Sequence, residues 1–194
     1  MSSLPDYVVI KDPYSPDKEV LLTPAQPFSF PLSDPDLTII KTLEAKFDAE
    51  ENCAGLAAPQ LGFSKQGIIF AAPYSPELKK WRPDLIDTMP KTVWLNARYQ
   101  PFGTEQSIDY EGCFSVGGFA GPVARYKTID YEAFLIDGSR VTGRVQGFLA
   151  RLIQHEIDHT HGILFSSLVP KGQLLPLDHY RRLRAEAMEK GRSD

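Results

Sequence analysis

Two histidines four residues apart, with a glutamate directly after the first, form the most reactive stretch of the chain. The residues are His155, Glu156 and His159, within Gln154-His155-Glu156-Ile157-Asp158-His159. On a helix these two histidines lie one turn apart on the same face, so both imidazoles can reach one metal ion. Glu156 projects between them and can act on a water bound to that ion. The spacing therefore predicts a metal site with a general base beside it.

An apolar stripe predicts a helix around this motif. At about 100° per residue, the two histidines and the glutamate continue a stripe formed by Val145, Phe148, Leu149, Leu152 and Ile153. The opposite side is predicted to hold Gly147, Ala150, Arg151, Gln154, Asp158 and His161. Polar groups on a core-facing stripe are costly unless satisfied, and a metal would satisfy all three. A helix with two hydrogen-bonded histidines and a chance glutamate is the alternative. Gly162 stands where a C′ glycine would end the helix.

A third ligand is available at Cys113, in the turn-like segment Tyr110-Glu111-Gly112-Cys113-Phe114-Ser115. One cysteine and two histidines leave a fourth position open, which is the catalytic pattern, whereas structural zinc sites are closed by four protein ligands. The other candidates are Cys53, His179 and His161, and His161 falls on the wrong side of the predicted helix. A thiolate with two imidazoles suits zinc or iron.

The composition is that of an ordinary globular protein. The chain has 194 residues, enough for one domain with one sizeable core, and its hydrophobic (42%) and charged (24%) fractions are typical. The net charge of −4 disfavours a nucleic-acid-coating surface. Neither a bilayer-spanning apolar run nor a secretory signal is visible, and two cysteines are too few for a disulfide framework. We therefore expect a cytoplasmic protein without a membrane partner or a sequence-specific nucleic-acid partner.

Two further helices and several strands are predicted to surround the motif helix. Pro35 in the first turn, followed by apolar residues at helical spacing, predicts a helix over 34–51. The tail is predicted to form a C-terminal helix over 174–194. Strands are predicted at 67–71, 92–96, 128–135 and 140–142. Asp137-Gly138 indicates a hairpin between the last two strands.

Proline-rich and glycine-rich stretches are predicted to be irregular. We expect an extended N-terminal arm over 1–31 and a long surface loop over 72–92. The glycine-rich stretch 116–122, which follows Cys113, is expected to be mobile. Another such stretch, Gly55-Leu56-Ala57-Ala58-Pro59-Gln60-Leu61-Gly62, has small residues that let a second chain approach its backbone closely.

Three of these segments together resemble the peptide deformylases, enzymes that remove the formyl group from nascent N-terminal formylmethionine. Residues 53–60 match the family motif Gly-x-Gly-x-Ala-Ala-x-Gln except at its first glycine, where this chain has Cys53. Residues 111–115 match Glu-Gly-Cys-Leu-Ser with Phe114 for leucine, and residues 154–159 match Gln-His-Glu-x-Asp-His fully. The order and spacing of the motifs also fit, and the resemblance covers roughly residues 34–170.

The resemblance implies a fold and a cofactor. The fold would be α+β, with small antiparallel β-sheets packed around a central helix that carries the His-Glu-x-x-His motif, plus an N-terminal and a C-terminal helix. One single catalytic domain would span residues 1–194. The ligands of one divalent metal ion would be Cys113, His155 and His159. That ion would be Fe²⁺ natively, and Zn²⁺ or Ni²⁺ in a purified sample.

The resemblance also implies roles for residues around the ion. Glu156 would be the general acid and base, while the Gln60 amide and the Phe114 backbone N–H would stabilise the oxyanion. The substrate peptide would be bound by residues Gly55, Leu56 and Gly112, with the backbone around Gly55 pairing with it as an added strand.

The resemblance implies partners as well, and it leaves alternatives open. The substrates would be N-formylmethionyl peptides on nascent chains in a bacterial-type system. The C-terminal helix would contact the ribosome or, alternatively, only pack on the domain. Arg125 would pair with Glu111 or Asp158, or remain solvated. Cys53 is either a small buried residue or a thiol that approaches the metal. A small metallopeptidase and a non-catalytic metal-binding protein are the competing functions.

Overall fold

The computed structural model describes residues 3–10 and 18–190, and it has the α+β architecture expected from the sequence. The α-helices in these residues are α1 (Asp34–Ala49), α2 (Pro76–Trp81), α3 (Phe148–Thr160), α4 (Phe165–Leu168) and α5 (Leu177–Lys190). The strands are β1 (Gly55–Ala57), β2 (Gly67–Ala72), β3 (Met89–Pro101), β4 (Gln106–Gly112), β5 (Phe119–Tyr126), β6 (Thr128–Phe134), β7 (Arg140–Gln146) and β8 (Leu175–Pro176). Short 3₁₀-helices lie at Lys18–Leu21, Ala58–Leu61 and Phe114–Val116.

The strands form two antiparallel sheets. The larger sheet has the order β1-β2-β3-β6-β7, and the smaller sheet has the order β4-β5-β8. The predicted hairpin is confirmed, because β6 and β7 pair in register from Thr128↔Gln146 to Phe134↔Arg140 around the Asp137-Gly138 turn. Strand β1 lies at one edge of the larger sheet, and β4 lies at one edge of the smaller.

Helix α1 begins where the sequence predicts and supports the edge strand β1. Its first turn is closed by a capping box, since the Ser33 hydroxyl accepts from the Asp36 N–H and the Asp36 carboxylate accepts from the Ser33 N–H, both at 3.3 Å. The buried face of the helix packs on β1 through Leu43, Phe47 and Leu56. Strand β1, which begins at Gly55, is therefore supported by the hydrophobic core between it and α1.

Helix α3 lies between the two sheets and is buried along its length. It contacts β1, β2, β3 and β7 of the larger sheet and β5 of the smaller one. The predicted division into an apolar and an opposite polar side is wrong, because residues 149–160 are all buried. Apart from the exposed His161, the polar residues assigned to the opposite side instead contact the smaller sheet. There they are hydrogen-bonded; the Gln154 amide, for example, pairs with both backbone groups of Tyr126.

The predicted loop over 72–92 is only partly irregular. Ser75 begins helix α2 by accepting from the Leu78 N–H at 3.0 Å, with Pro76 in the first turn, and β3 already starts at Met89. A capping serine followed by a proline is typical of a helix start, whereas the prolines of this stretch considered alone predict a loop. Strand β3 is longer than predicted because it continues past Asn96, which takes a positive φ of 50° next to an irregularity in the pairing with β6.

The glycine-rich stretch 116–122 forms the end of a 3₁₀-helix, a turn and the start of β5. Gly117 and Gly118 have φ of 66° and 75°, which glycine adopts readily, and they turn the chain from the 3₁₀-helix into β5. Along β5 the chain is then paired with β4 from Gly112↔Ala120 to Gln106↔Tyr126. The C-terminal helix is present from Leu177, and the last four residues of its predicted range lie outside the described residues.

Candidate active site

Three side chains that could hold a metal ion meet between α3 and the end of β4. The thiol of Cys113 and one ring nitrogen each of His155 and His159 all lie within 4.8 Å of one another. The two imidazoles come from α3 and stand nearly perpendicular, with ring centroids 4.9 Å apart. Cys113 directly follows β4, so the ligands come from one strand end and one helix face. This is the only such group among the described residues, and it contains the three side chains named from the sequence.

The hydrogen bonding of the histidines fits a metal ion. His159 is 1% exposed, and neither of its ring nitrogens has a hydrogen-bond partner among the described residues. An uncompensated buried imidazole is costly, and a coordinated ion would satisfy it. His155 uses Nδ1 to contact Glu111 Oε2 at 2.8 Å, which leaves Nε2 for the ion. A carboxylate on the far nitrogen of a ligating histidine fixes the orientation of the ring.

Glu111 is the centre of a buried ion-pair network behind His155. Arg125 binds both oxygens of the Glu111 carboxylate at 2.9 Å and also contacts Asp158. Arg151 donates to Glu111 Oε1 at 2.8 Å. Burial alone would raise the pKa of Glu111, but hydrogen bonds from His155 and Arg125 outweigh it and hold that pKa well below its usual value. Glu111 is therefore ionised, and the solvated alternative for Arg125 is wrong.

Glu156 is buried next to the two candidate histidine ligands on α3. It is 3% exposed, and its Oε2 has no hydrogen-bond partner among the described residues. Burial raises the pKa of its carboxyl to about 7. Its side chain packs directly on Gly55, where an added Cβ would lie 2.7 Å from Glu156 Cδ. A carboxyl group with a pKa near neutrality can both accept and donate a proton.

The Gln60 amide is held in one orientation by the edge strand. Its Oε1 accepts from the Ala57 N–H at 2.8 Å, and the residue is 1% exposed. Because the oxygen is bound to the backbone, the NH₂ end of the amide is the end that remains to donate. Gln60 itself lies in the 3₁₀-helix Ala58–Leu61 that follows β1.

Phe114 and the N-terminal segment close the other side of the site. The rings of Phe114 and Tyr7 stack with centroids 4.5 Å apart and planes 3° apart. The segment that carries Tyr7 also links the two loops of the site. The Val8 N–H donates to the Gln60 carbonyl and the Ile10 N–H donates to the Ser115 carbonyl, both at 2.9 Å. Sequence analysis missed this role of residues 7–10, since no local pattern joins them to Phe114.

The structure also places the proposed peptide-binding residues and Cys53. Gly55 and Leu56 form most of β1, and Gly112 ends β4. The Leu56 side chain is fully buried in the core, so only its backbone can meet a peptide. Cys53 is not part of the ligand group; its thiol lies 3.2 Å from the Gly55 carbonyl, and burial raises its pKa to about 12. Cys53 is therefore a small half-buried residue that packs against the core under β1 and does not approach the metal ligands.

The chain is similar to proteins of one kind in every comparison. The family model for polypeptide deformylase matches residues 11–173. Peptide deformylase 2 of Rickettsia conorii is 51% identical over 189 residues, covering 96% of this chain and 94% of the relative. Peptide deformylase 1 of Nitrosomonas europaea is 41% identical over 114 residues, covering 59% and 62%.

Solved structures agree with these sequence relatives. A class I type b peptide deformylase from Acinetobacter baumannii, with Met-Ala-Ser bound, is 30% identical, with a TM-score of 0.72 over 87% of this chain and 100% of that chain. The peptide deformylase from Ehrlichia chaffeensis, at 22% identity, shares the fold with a TM-score of 0.72 over 98% of both chains. In the described part of this chain, none of the helices is long and apolar enough to cross a membrane.

Proposed function

Because this chain belongs to the polypeptide deformylase family, whose members remove the formyl group from N-terminal methionine, we propose that Cys113, His155 and His159 hold its catalytic ion. The chain is a hydrolase of this family, which is metal-dependent. We further propose that the whole chain forms one catalytic domain. The observation that carries the proposal is the convergence of the three ligand atoms within 4.8 Å, with a buried and otherwise unpartnered His159 among them.

The donor set suits the ion that the family requires. One soft thiolate and two imidazoles fit iron or zinc, and three protein ligands leave room for solvent or substrate. When bound, the divalent ion supplies Lewis acidity, which acidifies a coordinated water and polarises the formyl carbonyl. We propose Fe²⁺ as the native ion, with Zn²⁺ or Ni²⁺ as replacements acquired in purification.

Glu156 is the group that moves protons in this proposal. Its unpartnered Oε2 accepts a proton from the attacking water, and the carboxylic acid then gives that proton to the methionine nitrogen as the formyl group leaves. A pKa raised to about 7 by burial suits both steps. Glycine at position 55 leaves room for the Glu156 carboxylate, because a Cβ there would lie 2.7 Å from Glu156 Cδ.

Two donors are proposed to stabilise the oxyanion that forms on the formyl oxygen. One is the NH₂ of Gln60, whose amide plane is set by the bond from the Ala57 N–H. The other is the backbone N–H of Phe114, which begins a 3₁₀-helix directly after Cys113. Donors that are preorganised in this way need not reorient as negative charge develops.

The peptide is proposed to bind along the edge strand of the larger sheet. Strand β1 lies at that edge, and its Gly55 backbone is next to Glu156. An extended peptide that adds to this edge would bring its N-terminal formyl group towards the ligands, with Gly112 on the opposite side. The Met-Ala-Ser complex of the Acinetobacter baumannii enzyme supports a peptide as the occupant.

We also propose that the enzyme acts on nascent chains in the cytoplasm and contacts the ribosome through α5. Arg181 and Arg182 of this helix are exposed, whereas Tyr180 stacks on Tyr110 at 4.8 Å and Arg184 contacts Asp109 at 3.1 Å. The helix therefore packs on the domain through Tyr180 and Arg184, and it exposes the two arginines alongside the acidic Asp178 and Glu186. The double change Arg181→Glu and Arg182→Glu should abolish salt-sensitive co-sedimentation with ribosomes and leave dipeptide deformylation unchanged. Undiminished co-sedimentation would refute the contact.

A formate-release assay tests the central proposal. Protein prepared without oxygen and loaded with Fe²⁺ should release formate from formyl-Met-Ala in proportion to its metal content. The Met-Ala bond of the product should stay intact, which distinguishes the enzyme from a small metallopeptidase. Absence of formate release at full metal occupancy would contradict the proposal.

A further inference from the structure

Arg151 joins the helix that carries the histidines to both long strands of the smaller sheet. Its guanidinium donates to the Ser107 carbonyl of β4 at 2.7 Å and to the Val123 carbonyl of β5 at 3.0 Å. It also donates to the Glu111 carboxylate at 2.8 Å. The Arg151 side chain is 5% exposed, so these bonds form away from solvent. One residue of α3 thus contacts three residues of the strand that ends next to Cys113: Ser107, Asp109 and Glu111.

Arg151 and His155 share a single carboxylate. They stand four residues apart on α3, one turn from each other. Arg151 binds Oε1 of Glu111 and His155 binds Oε2, both at 2.8 Å. Rotation of the carboxylate would break one contact or the other, so this pair, together with the two bonds from Arg125, fixes its orientation. The orientation of the His155 ring then follows, because its Nδ1 is bound to this carboxylate.

The network has a second arginine, but its position differs. Arg125 belongs to β5 and holds Glu111 from the sheet side, together with Asp158. Arg151 is the one of the two that belongs to the helix of the histidine ligands. Of the two arginines, it is the one that also binds the backbone of β4, the strand that runs directly into Cys113, at the Ser107 carbonyl.

Packing alone does not explain why an arginine occupies position 151. Burial disfavours its charged form, and its Nε has no hydrogen-bond partner among the described residues. A buried ion pair of this kind is weak evidence for stability, because desolvation opposes the attraction. What the guanidinium does provide is a fixed geometry: its planar donors reach a carboxylate and two strands at once.

We propose that Arg151 is a positioning residue of the metal site, which sets the placement of Cys113 relative to His155 through Glu111 and strand β4. This proposal rests on the proposed ligand set. It predicts that removal of the guanidinium weakens metal binding more than removal of an equally buried side chain elsewhere on α3. Metal-ligand partners of this indirect kind typically change metal affinity by about 10- to 100-fold when mutated.

Metal release from the full-length, zinc-loaded protein tests this role without reference to activity. The rate of zinc transfer to excess chromogenic chelator is measured for the unmodified protein, Arg151→Met, Arg151→Lys and Leu149→Ala. Leu149 is fully buried in the same helix and packs in the apolar core of the larger sheet, so Leu149→Ala is the control for lost stability. His159→Ala serves as the reference for a damaged ligand set. The absorption bands of the Co²⁺-substituted proteins report the ligand geometry.

We expect Arg151→Met to release zinc about 10-fold faster or more and to shift the Co²⁺ bands. Arg151→Lys should give a smaller effect, because an ammonium has no planar fork, and Leu149→Ala should release zinc like the unmodified protein. If Arg151→Met does not fold, Arg151→Lys decides by the same comparison with Leu149→Ala. Release from the folded arginine variant no faster than from Leu149→Ala, with rapid release from His159→Ala, overturns the proposal for Arg151. Slow release from His159→Ala itself would instead contradict the ligand set.

Discussion

Glu156 packs on the bare backbone of Gly55, and no Cβ fits between them. An added methyl group at residue 55 would lie 2.7 Å from Cδ of the glutamate. The contact joins the central helix α3 to the edge strand β1, although Gly55 and Glu156 are 101 positions apart in the sequence. It therefore couples the proposed general base to the strand on which the substrate peptide is proposed to lie.

Gly55→Ala is predicted to displace the Glu156 carboxylate while the ligands stay in place. A misplacement of about 1 Å near the reacting atoms can cost roughly 10²-fold in rate. We expect kcat for formyl-Met-Ala to fall by about that factor with unchanged zinc content. The control is Gly67→Ala in β2, where a Cβ would meet the Phe28 ring at 3.2 Å and the Ala58 Cβ at 3.8 Å. Equal activity of Gly55→Ala and the unmodified enzyme would show that the contact is not needed.

Glu156→Gln removes the proton-transfer group and keeps its size. General acid–base groups typically contribute about 10²- to 10⁴-fold, so kcat should drop by at least the lower value. Because Glu156 is not a proposed ligand, metal content measured by atomic emission should stay at one ion per chain. A variant that retains normal turnover would contradict the role of Glu156, and one that loses the ion would show a structural role.

Gln60→Ala removes one proposed oxyanion donor. Loss of such a donor costs about 10²- to 10³-fold in kcat, and the KM for the dipeptide should change little. A matched control is Gln66→Ala, since Gln66 is also partly buried and donates to a backbone carbonyl, that of Ala25 at 3.0 Å. Steady-state kinetics of both variants test the donor role of Gln60. A kcat of Gln60→Ala equal to that of Gln66→Ala would exclude this role.

Cys53 is predicted to resist alkylation in the native protein. Burial and the nearby Glu156 and Glu50 carboxylates raise its pKa to about 12, and only the thiolate reacts. At about pH 8, a raised pKa leaves a smaller thiolate fraction, so its modification by iodoacetamide should be about 10³-fold slower than for an unperturbed thiol. Peptide mass spectrometry of the zinc-loaded protein, with urea-unfolded protein as the control, measures this. Labelling at the same rate before and after unfolding would contradict the structure around Cys53.

The convergence of Cys113, His155 and His159 was partly predictable, because local geometry determines much of their arrangement. His155 and His159 occur at the spacing that one helix face requires. The helix ends at Thr160, and Gly162 follows the C-cap His161 as the predicted C′ glycine, with φ of 75°. Cys113 needed more than spacing, since its approach to α3 depends on a strand pairing between β4 and β5. The three-segment resemblance provided that missing information.

The network behind the ligands was not predictable from periodicity. The pattern places Arg151 opposite the apolar stripe, but it does not indicate that the smaller sheet covers this side of the helix as well. Its contact with Glu111 joins residues 40 apart in sequence, and only the tertiary fold brings them together. The spacing of Arg151 to His155 was the available signal. The stacking of Tyr7 on Phe114 has no comparable signal, since neither residue lies in a periodic segment.

X-ray absorption at the zinc edge of the loaded protein tests the central claim most directly. We expect one sulfur ligand at about 2.3 Å and nitrogen or oxygen ligands at about 2.0–2.1 Å, with one of the four positions open to solvent. The Cys113→Ser protein should lose the sulfur shell, while Cys53→Ser should keep it. A zinc spectrum without sulfur, or a sulfur shell that survives Cys113→Ser, would contradict the proposed site.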